Sequence, residues 1–150
     1  MKTEKQYHKR KYVPVNPSKY KGDPTCIIMR SSWETKFAIW CDHNPSILEW
    51  TSESIVIPYQ CPTDNKMHRY FVDFSIKVKD KHNNIKSYLI EIKPENQTIE
   101  PVYNSRSSKE SYYKKVMTWG KNQAKWNAAK EYCKARGSDF MILTEKHLGI

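Results

Sequence analysis

Two neighbouring segments in which apolar and polar residues alternate constrain the fold of this 150-residue chain more than any other feature. The first is RYFVDFSIKVKD at 69–80, and the second is IKSYLIEIK at 85–93. Because side chains of a β-strand point alternately to opposite faces, each segment predicts a strand with one apolar face. That face would carry Val72, Phe74, Ile76 and Val78 in the first strand and Tyr88, Ile90 and Ile92 in the second.

The short segment DKHNN (80–84) between these strands predicts a hairpin and its register. Its two asparagines tolerate left-handed backbone and therefore suit a turn. In a hairpin centred on His82, Asp73 lies directly opposite Glu91, with Cβ atoms about 5 Å apart. A β-bulge would shift this pairing by one position. The two carboxylates would share the face opposite the apolar residues.

The segments before the hairpin predict one helix and one strand. Three aromatic residues recur at helical spacing in SSWETKFAIWCD (31–42), and Ser31 with Glu34 fits a capping box, so this segment predicts a helix. The apolar run 55–59 predicts a short strand, which Pro58 confines to an edge or an end of a sheet.

The segments after the hairpin predict a second helix and a last strand. The helix covers 108–135, with Ser107 and Glu110 as a candidate capping box and Gly137 at the C-terminal cap. Gly120 is a point where this helix could divide. DFMILT at 139–144 predicts the last strand. The order α-β-β-β-α-β predicts an α/β fold, a central mixed sheet flanked by helices.

The chain length predicts one domain, and the charge predicts a polyanionic partner. We expect a basic flexible arm at 1–24, interrupted by three prolines, followed by a single domain at 25–150. The net charge of +10 favours nucleic acid as the partner. Binding to double-stranded DNA would then be largely sequence-independent and sensitive to salt. A basic ribosomal or membrane-surface protein is the alternative.

The four cysteines and the hydropathy pattern predict a reduced, cytoplasmic protein. Because no C-x-x-C pair is present, the cysteine spacing gives little support to a zinc site. The opening MKTEKQYHKRKY contains no apolar run, so no secretory signal is expected. No stretch approaches the roughly 20 apolar residues of a membrane-spanning helix, so no membrane partner is expected.

The predicted hairpin brings together groups that suit metal-dependent chemistry. Two carboxylates that face each other repel, and a hard divalent ion, Mg²⁺ or Mn²⁺, would relieve that repulsion through its oxygen ligands. Lys93 follows Glu91 on the same face, where it can position an attacking water or stabilise charge on phosphorus. A divalent ion polarises a phosphoryl oxygen and activates water. The set Asp73, Glu91 and Lys93 therefore predicts phosphodiester hydrolysis.

These residues also carry a family resemblance. Asp73 followed by Glu91-Ile92-Lys93 resembles the D…(D/E)-x-K signature of the PD-(D/E)xK, restriction-endonuclease-like nucleases. The wider text between Arg30 and Leu148 resembles the TnsA-like branch through RSSWETKF, IPYQCP, HRYFVDF, IEIKP and FMILTEKHL. The superfamily pattern has proline before the aspartate, where this chain has Val72. That proline is a backbone device and not a metal ligand.

The resemblance implies further site residues. An acidic residue on the first helix often joins the site of such nucleases, and Glu34 fits that role, besides its capping role. The backbone carbonyl of Ile92 would join Asp73 and Glu91 as a metal ligand. Arg30, Gln123 and Lys125 are candidate DNA contacts, as are His68 and Arg69, for which solvated positions are equally consistent. The lysine-rich helix is either a DNA-facing or a solvated surface.

The resemblance also implies a biological role. Within the branch, the segments are most similar to nucleases of tailed phages that trim packaged DNA so that heads and tails join. Partners would then be DNA and head, portal or connector proteins, in the infected cell or the virion. Two alternatives are a non-catalytic DNA-binding protein of the head–tail junction and a transposition or repair nuclease of the same fold.

Overall fold

The computed structural model describes residues 9–150, which contain eight strands and three helices. The strands are β1 (Arg10–Tyr12), β2 (Ile27–Met29), β3 (Ile47–Ser52), β4 (Val56–Gln60), β5 (Met67–Phe71), β6 (Phe74–Lys79), β7 (Ile85–Ile92) and β8 (Asp139–Leu143). The helices are α1 (Ser32–His43), α2 (Lys109–Arg136) and α3 (Glu145–Leu148). Within this described part of the chain, no helix has both the length and the apolar character of a membrane span.

A four-stranded mixed sheet forms the centre of the molecule, as the sequence predicts. Its strand order is β3-β6-β7-β8; β3, β6 and β7 pair antiparallel, whereas β8 runs parallel to β7. Helix α1 contributes to a core on one face with Phe74, Ile76 and Ile90. Helix α2 contributes to a second core that includes Leu89. In the order α1-β3-β6-β7-α2-β8 the structure confirms the predicted αβββαβ α/β fold.

The predicted hairpin register is confirmed. Lys79 pairs with Ile85, and Phe74 pairs with Ile90, so the loop comprises residues 80–84. Asn83 takes the left-handed conformation, with φ of 63°. The Asp80 carboxylate accepts hydrogen bonds from two amides of the loop, 2.8 and 2.9 Å away, and so closes it. This register brings Asp73, one residue before β6, level with Glu91 on β7.

The prediction of one continuous strand over 69–80 is wrong, because the chain changes sheets at Val72–Asp73. Strand β5 pairs with β4 in a separate two-stranded sheet, and β6 belongs to the central sheet. Val72 accordingly packs in the core with α2, on the other side of the sheet from Phe74. The neighbouring chain bends at the same place, where Glu53 has φ of 51° and its amide donates to the Asp73 carbonyl.

The first strand of the central sheet is β3, which the sequence pattern did not predict. The pairing of β3 with β6 shifts between Ile47 and Glu49, and this bulge interrupts the alternation along the strand. The predicted strand at 55–59 is present as β4, but it belongs to the β4–β5 hairpin. Pro58 on β4 pairs there with Arg69 on β5. Because β4 has no other partner strand within residues 9–150, Pro58 has the expected edge position.

The helix ends agree with the sequence except at the start of α2. The Ser31 hydroxyl accepts a hydrogen bond from the Glu34 amide, as predicted for α1. The cap of α2 is Ser108, whose hydroxyl accepts from the Ser111 amide, so the prediction of Ser107 is wrong by one residue. The helix continues through Gly120 and ends at Gly137, with φ of 68°.

The segment expected to be a flexible arm is packed over its described part. Residues 1–8 of that arm lie outside the described residues. Strand β1 pairs antiparallel with β2, and the Tyr12 hydroxyl and Val15 amide donate to the Asp42 carboxylate, 2.8 and 2.7 Å away. Asp42 is fully buried on α1. This buried acceptor holds the segment, and a composition rich in lysine and proline does not reveal it.

Candidate active site

Asp73 lies at the point where the chain passes from the β4–β5 hairpin into the central sheet. Pairing of β6 with β7 starts at Phe74 opposite Ile90, so β7 extends beyond the end of β6. The Ile92 amide then has no partner strand on that side, and it donates to Asp73 Oδ2, 2.8 Å away. The sheet thus holds the Asp73 carboxylate against the end of β7.

Glu91 is buried on β7, and both of its carboxylate oxygens have partners. The Tyr70 hydroxyl on β5 donates a short hydrogen bond to Glu91 Oε2. Lys93 Nζ lies 3.4 Å from Glu91 Oε1, and the two side chains are 26% and 7% exposed. The lysine therefore reaches solvent while it stays paired with a nearly buried carboxylate. Lys93 is itself anchored because its amide donates to the Leu143 carbonyl of β8.

Glu34 enters the site from the first turn of α1. Its Oε2 accepts a hydrogen bond from the Arg30 amide, 3.2 Å away. Burial raises the pKa of Glu34, and the Arg30 hydrogen bond opposes the rise. The charge of Glu91 also raises the pKa of Glu34, and the charge of Lys93 lowers it. The Glu34 carboxylate reaches back to the Arg30 amide and not to that of Ser31, so only the Ser31 half of the predicted capping box is formed.

Asp73 lies in surroundings that disfavour its negative charge. Burial and the adjacent charge of Glu91 raise the pKa of Asp73 to about 8. The Ile92 hydrogen bond and Lys93 lower it, whereas Glu34 raises it further. The fold thus disfavours a negative charge on Asp73 beside Glu91.

Lys125 on α2 forms the wall of the site opposite α1. Its ammonium lies 5.6 Å from the ring centroid of Tyr70 and 5.9 Å from that of Tyr59, distances typical of cation–π contacts. Burial and the positive charge of Lys93 lower the pKa of Lys125. Lys93 pairs with Glu91, and Lys125 lies over the ring of Tyr70, whose hydroxyl donates to Glu91.

The remaining predicted DNA contacts have other neighbours. Arg30 forms an ion pair with Glu53, and Arg69 packs over the ring of Phe71, 5.7 Å from its centroid. His68 lies on β5, with Nε2 2.7 Å from a carboxylate oxygen of Asp64. The partly exposed Gln123 lies on α2, two residues before Lys125. The structure brings Arg30 beside Glu34 and Lys125 over the ring of Tyr70, but it places His68 in a separate cluster.

Tyr70 is a site residue that sequence reasoning missed. Its ring is buried in the core formed with α2, and its hydroxyl reaches Glu91. Tyr70 precedes Asp73 by three residues, on β5 of the separate two-stranded sheet. Strand alternation therefore could not place it beside Glu91. The available signal was that a buried tyrosine hydroxyl needs a partner, and Glu91 was a nearby acceptor.

The central mixed sheet has helices on both faces, and acidic residues and a lysine lie at the open end of its antiparallel hairpin. This arrangement defines the class of restriction-endonuclease-like proteins. Within that class, the family described as "TnsA-like endonuclease N terminal" matches residues 44–145, and the chain belongs to this family. The chain is also similar to the "Head completion nuclease" of Enterobacteria phage T4. The two are 43% identical over 141 residues, which cover 92% of this chain and 91% of that protein.

Proposed function

We propose that this protein is a Mg²⁺- or Mn²⁺-dependent DNA nuclease that trims packaged DNA when phage heads are completed. The observation that carries the proposal is the buried Asp73–Glu91 pair with Lys93 beside it. Membership of an endonuclease family supports the hydrolytic activity, and the relative from phage T4 supports the role in head completion. Hydrolysis at this site would be of phosphodiester bonds.

The side chains at the site fit a hard divalent ion. The acidic side chains of Asp73, Glu91 and Glu34 offer only oxygen donors, which Mg²⁺ and Mn²⁺ prefer. Repulsion from Glu91 is a main reason for the raised pKa of Asp73, and a bound cation would remove that repulsion. The Ile92 carbonyl, next to the amide that holds Asp73, is a further proposed ligand. When bound, the ion would polarise the phosphate and make a water more acidic.

The protein's own groups have distinct proposed roles. Lys93, partly exposed beside Glu91, would orient the attacking water and stabilise negative charge on the phosphate. Tyr70 would hold Glu91 in one orientation through its hydroxyl. Glu34 would accept a proton or complete the ligand set from the opposite wall. Tyr70 lies on β5, Glu91 on β7 and Glu34 on α1, and Lys93 directly follows β7, which keeps the geometry fixed.

DNA would approach the open side of the site along basic surfaces. The formal charge of +10 favours a polyanion, and Lys125 and Arg30 lie on the two walls around the carboxylates. Contacts of this kind read the phosphate backbone and not the bases, so we expect little sequence preference. Head, portal or connector proteins are the proposed protein partners, in the infected cell or the virion.

The test is cleavage of plasmid DNA by the purified chain with Mg²⁺, with Mn²⁺ and with EDTA. We expect cutting with either ion and none with EDTA. Asp73→Ala and Glu91→Ala should each lower the cleavage rate by roughly 1,000-fold or more, because each removes an ion ligand. DNA binding, measured by a gel-shift titration, should persist in both variants.

A matched control is Glu49→Ala, which removes a carboxylate from the same sheet where it pairs with Lys77 at the surface. This variant should cut like the wild type. If both site variants cut normally, the site is assigned wrongly. If the wild type binds DNA but does not cut it with any divalent ion, the chain is a DNA-binding protein of the head–tail junction instead.

A further inference from the structure

A second group of metal-ligating side chains lies in the turn of the β4–β5 hairpin, apart from the carboxylate site. Cys61 follows β4, Asp64 is in the turn, and His68 is on β5. Their ligand atoms all lie within 4.8 Å of one another. Among residues 9–150, this set alone brings three cysteine, histidine or acidic side chains that close. We propose that it binds a divalent transition metal ion of the Zn²⁺ class.

The donor set defines which ion the turn would take. A thiolate, an imidazole and a carboxylate are the three ligand types of protein zinc sites, whereas Mg²⁺ takes oxygen donors. Three protein ligands leave one tetrahedral position for water. The spacing C-x-x-D-x-x-x-H supplies all three ligands from one hairpin, so binding closes only a short loop. The turn and the carboxylate site would therefore select different ions.

The turn is held in place before any ion binds. The Cys61 amide donates to the Lys66 carbonyl, and the Asn65 amide donates to the Cys61 carbonyl. The donor–acceptor distance is 2.8 Å in both hydrogen bonds. Asn65 has φ of 59°, the left-handed conformation that reverses the chain. These contacts fix the backbone of the turn, so the ligands need only side-chain adjustment to close around an ion.

Each ligand already makes a polar contact that an ion would replace. His68 Nε2 lies 2.7 Å from Asp64 Oδ2, within hydrogen-bond distance, and an ion bound to both would replace that contact. Cys61 is fully buried, but its Sγ lies 3.0 Å from the Thr63 hydroxyl. Asp64 and His68 are 40% and 36% exposed, so an ion can enter from solvent.

An ion at this place would stabilise the hairpin that carries Tyr70. It would join the end of β4 to β5, and Tyr70 is two residues beyond His68 on the same strand. The Tyr70 hydroxyl donates to Glu91, so a firmer hairpin would hold that carboxylate more rigidly. The role is structural, and it does not depend on the chain being a nuclease.

The test uses the reduced, metal-free full chain with Co²⁺ as a spectroscopic probe and Zn²⁺ as the competitor. We expect one equivalent of Co²⁺ to produce a near-ultraviolet thiolate-to-cobalt band, and Zn²⁺ to displace it. Cys61→Ser should abolish the band. Asp64→Asn and His68→Gln, at exposed positions where folding is not in question, should weaken Zn²⁺ binding by roughly 100-fold or more.

Two controls separate this site from others. Cys26→Ser changes an exposed cysteine outside the cluster and should keep the band. The Asp73→Ala, Glu91→Ala double variant should keep it too, because the carboxylate site contributes no thiolate. Absence of the band in the wild type would overturn the proposal. So would Zn²⁺ binding that is unchanged in both Asp64→Asn and His68→Gln.

Discussion

Two aspartates of this chain are embedded in the same molecule under opposite electrostatic conditions. Asp42 on α1 is fully buried, and it accepts hydrogen bonds from the Tyr12 hydroxyl and from the amides of Val15 and Asn16, at 2.7 to 2.9 Å. Burial acts to raise the pKa of Asp42, but these hydrogen bonds outweigh it and the pKa is lowered. Asp73 accepts from the Ile92 amide but lies beside Glu91, and its pKa rises to about 8.

The opposite pKa shifts distinguish Asp42, a carboxylate that stabilises the fold, from Asp73, a carboxylate suited to binding a cation. Donors that surround Asp42 already stabilise its charge, so it has no capacity left for an ion. Asp73 and Glu91 are held together although they repel, and the fold supplies less positive charge than they need. A carboxylate with a strongly shifted pKa beside a second carboxylate is typical of functional sites. Burial alone would not distinguish the two residues.

The largest expected effect on stability is at Asp42. Asp42→Ala should lower the free energy of unfolding by about 3–5 kcal/mol at pH 7, because three donors around a buried site lose their acceptor. Because the folded-state pKa is lowered, this contribution is present above the unfolded pKa of about 4 and disappears as the pH falls through the folded pKa. Urea unfolding at several pH values measures both. A loss below about 1 kcal/mol would contradict the structural role of Asp42.

At Asp73 the sign is reversed. The folded pKa of about 8 exceeds the unfolded value of about 4, so the folded state binds more protons between these pH values. Its stability therefore falls as the pH rises from about 4 to 8. Asp73→Asn removes this penalty, and it should raise the free energy of unfolding by roughly 2–4 kcal/mol at pH 8 and by little at pH 4.

The measurement for Asp73 is urea unfolding in EDTA, which removes divalent ions from wild type and variant alike. Added Mg²⁺ should stabilise the wild type at pH 8 and leave Asp73→Asn nearly unchanged, because the variant lacks an ionised ligand. A variant less stable than the wild type at pH 8 in EDTA would show that Asp73 is compensated like Asp42.

The contrast also shows how far the sequence could predict the site. Alternation along two strands and a five-residue turn were enough to place Asp73 level with Glu91, because side-chain period and loop length fix a hairpin register. The same local pattern placed Lys93 next to Glu91. It could not find Tyr70, whose contact with Glu91 depends on a second sheet, or Lys125, whose place beside Tyr70 depends on the packing of α2.

The fold was predictable where local signals agree with the long-range pairing, and not elsewhere. The α-β-β-β-α-β order follows from segment types, and Gly137 marks the end of α2 through its left-handed backbone. Strand β3 was missed because a bulge interrupts its alternation. The single strand at 69–80 was predicted because alternation continues through Val72 although the chain changes sheets there. Nothing local shows that Asp42 collects donors some 26 to 30 residues earlier in the chain.

Tyr70 donates a hydrogen bond to the buried Glu91 carboxylate, as Tyr12 does to Asp42. A variant of Tyr70 therefore shows how much one such donor contributes at the candidate site. Tyr70→Phe removes the hydroxyl donor to Glu91 and keeps the ring in its core. We expect a loss of about 2 kcal/mol in the free energy of unfolding, since a buried carboxylate loses a donor. Cleavage should fall by roughly tenfold, because Glu91 is no longer oriented. Tyr59→Phe, on the other ring under Lys125, is the control and should cut normally. Equal activity of both variants would exclude the positioning role.

The smallest expected effect is on the pKa of Asp73, and it compares the contributions of two neighbouring carboxylates, Glu91 and Glu34. Repulsion from Glu91 raises the pKa of Asp73 more than repulsion from Glu34 does. Glu91→Gln should therefore lower the pKa of Asp73 more than Glu34→Gln, and both should move it toward its ordinary value. Titration of ¹³C-labelled aspartate carboxyls by NMR in EDTA gives both shifts, with the Asp42 signal as the internal control that neither variant moves. If Glu34→Gln produced the larger shift, the dominant repulsion would come from α1, and the metal site would lie between α1 and Asp73 rather than along the hairpin.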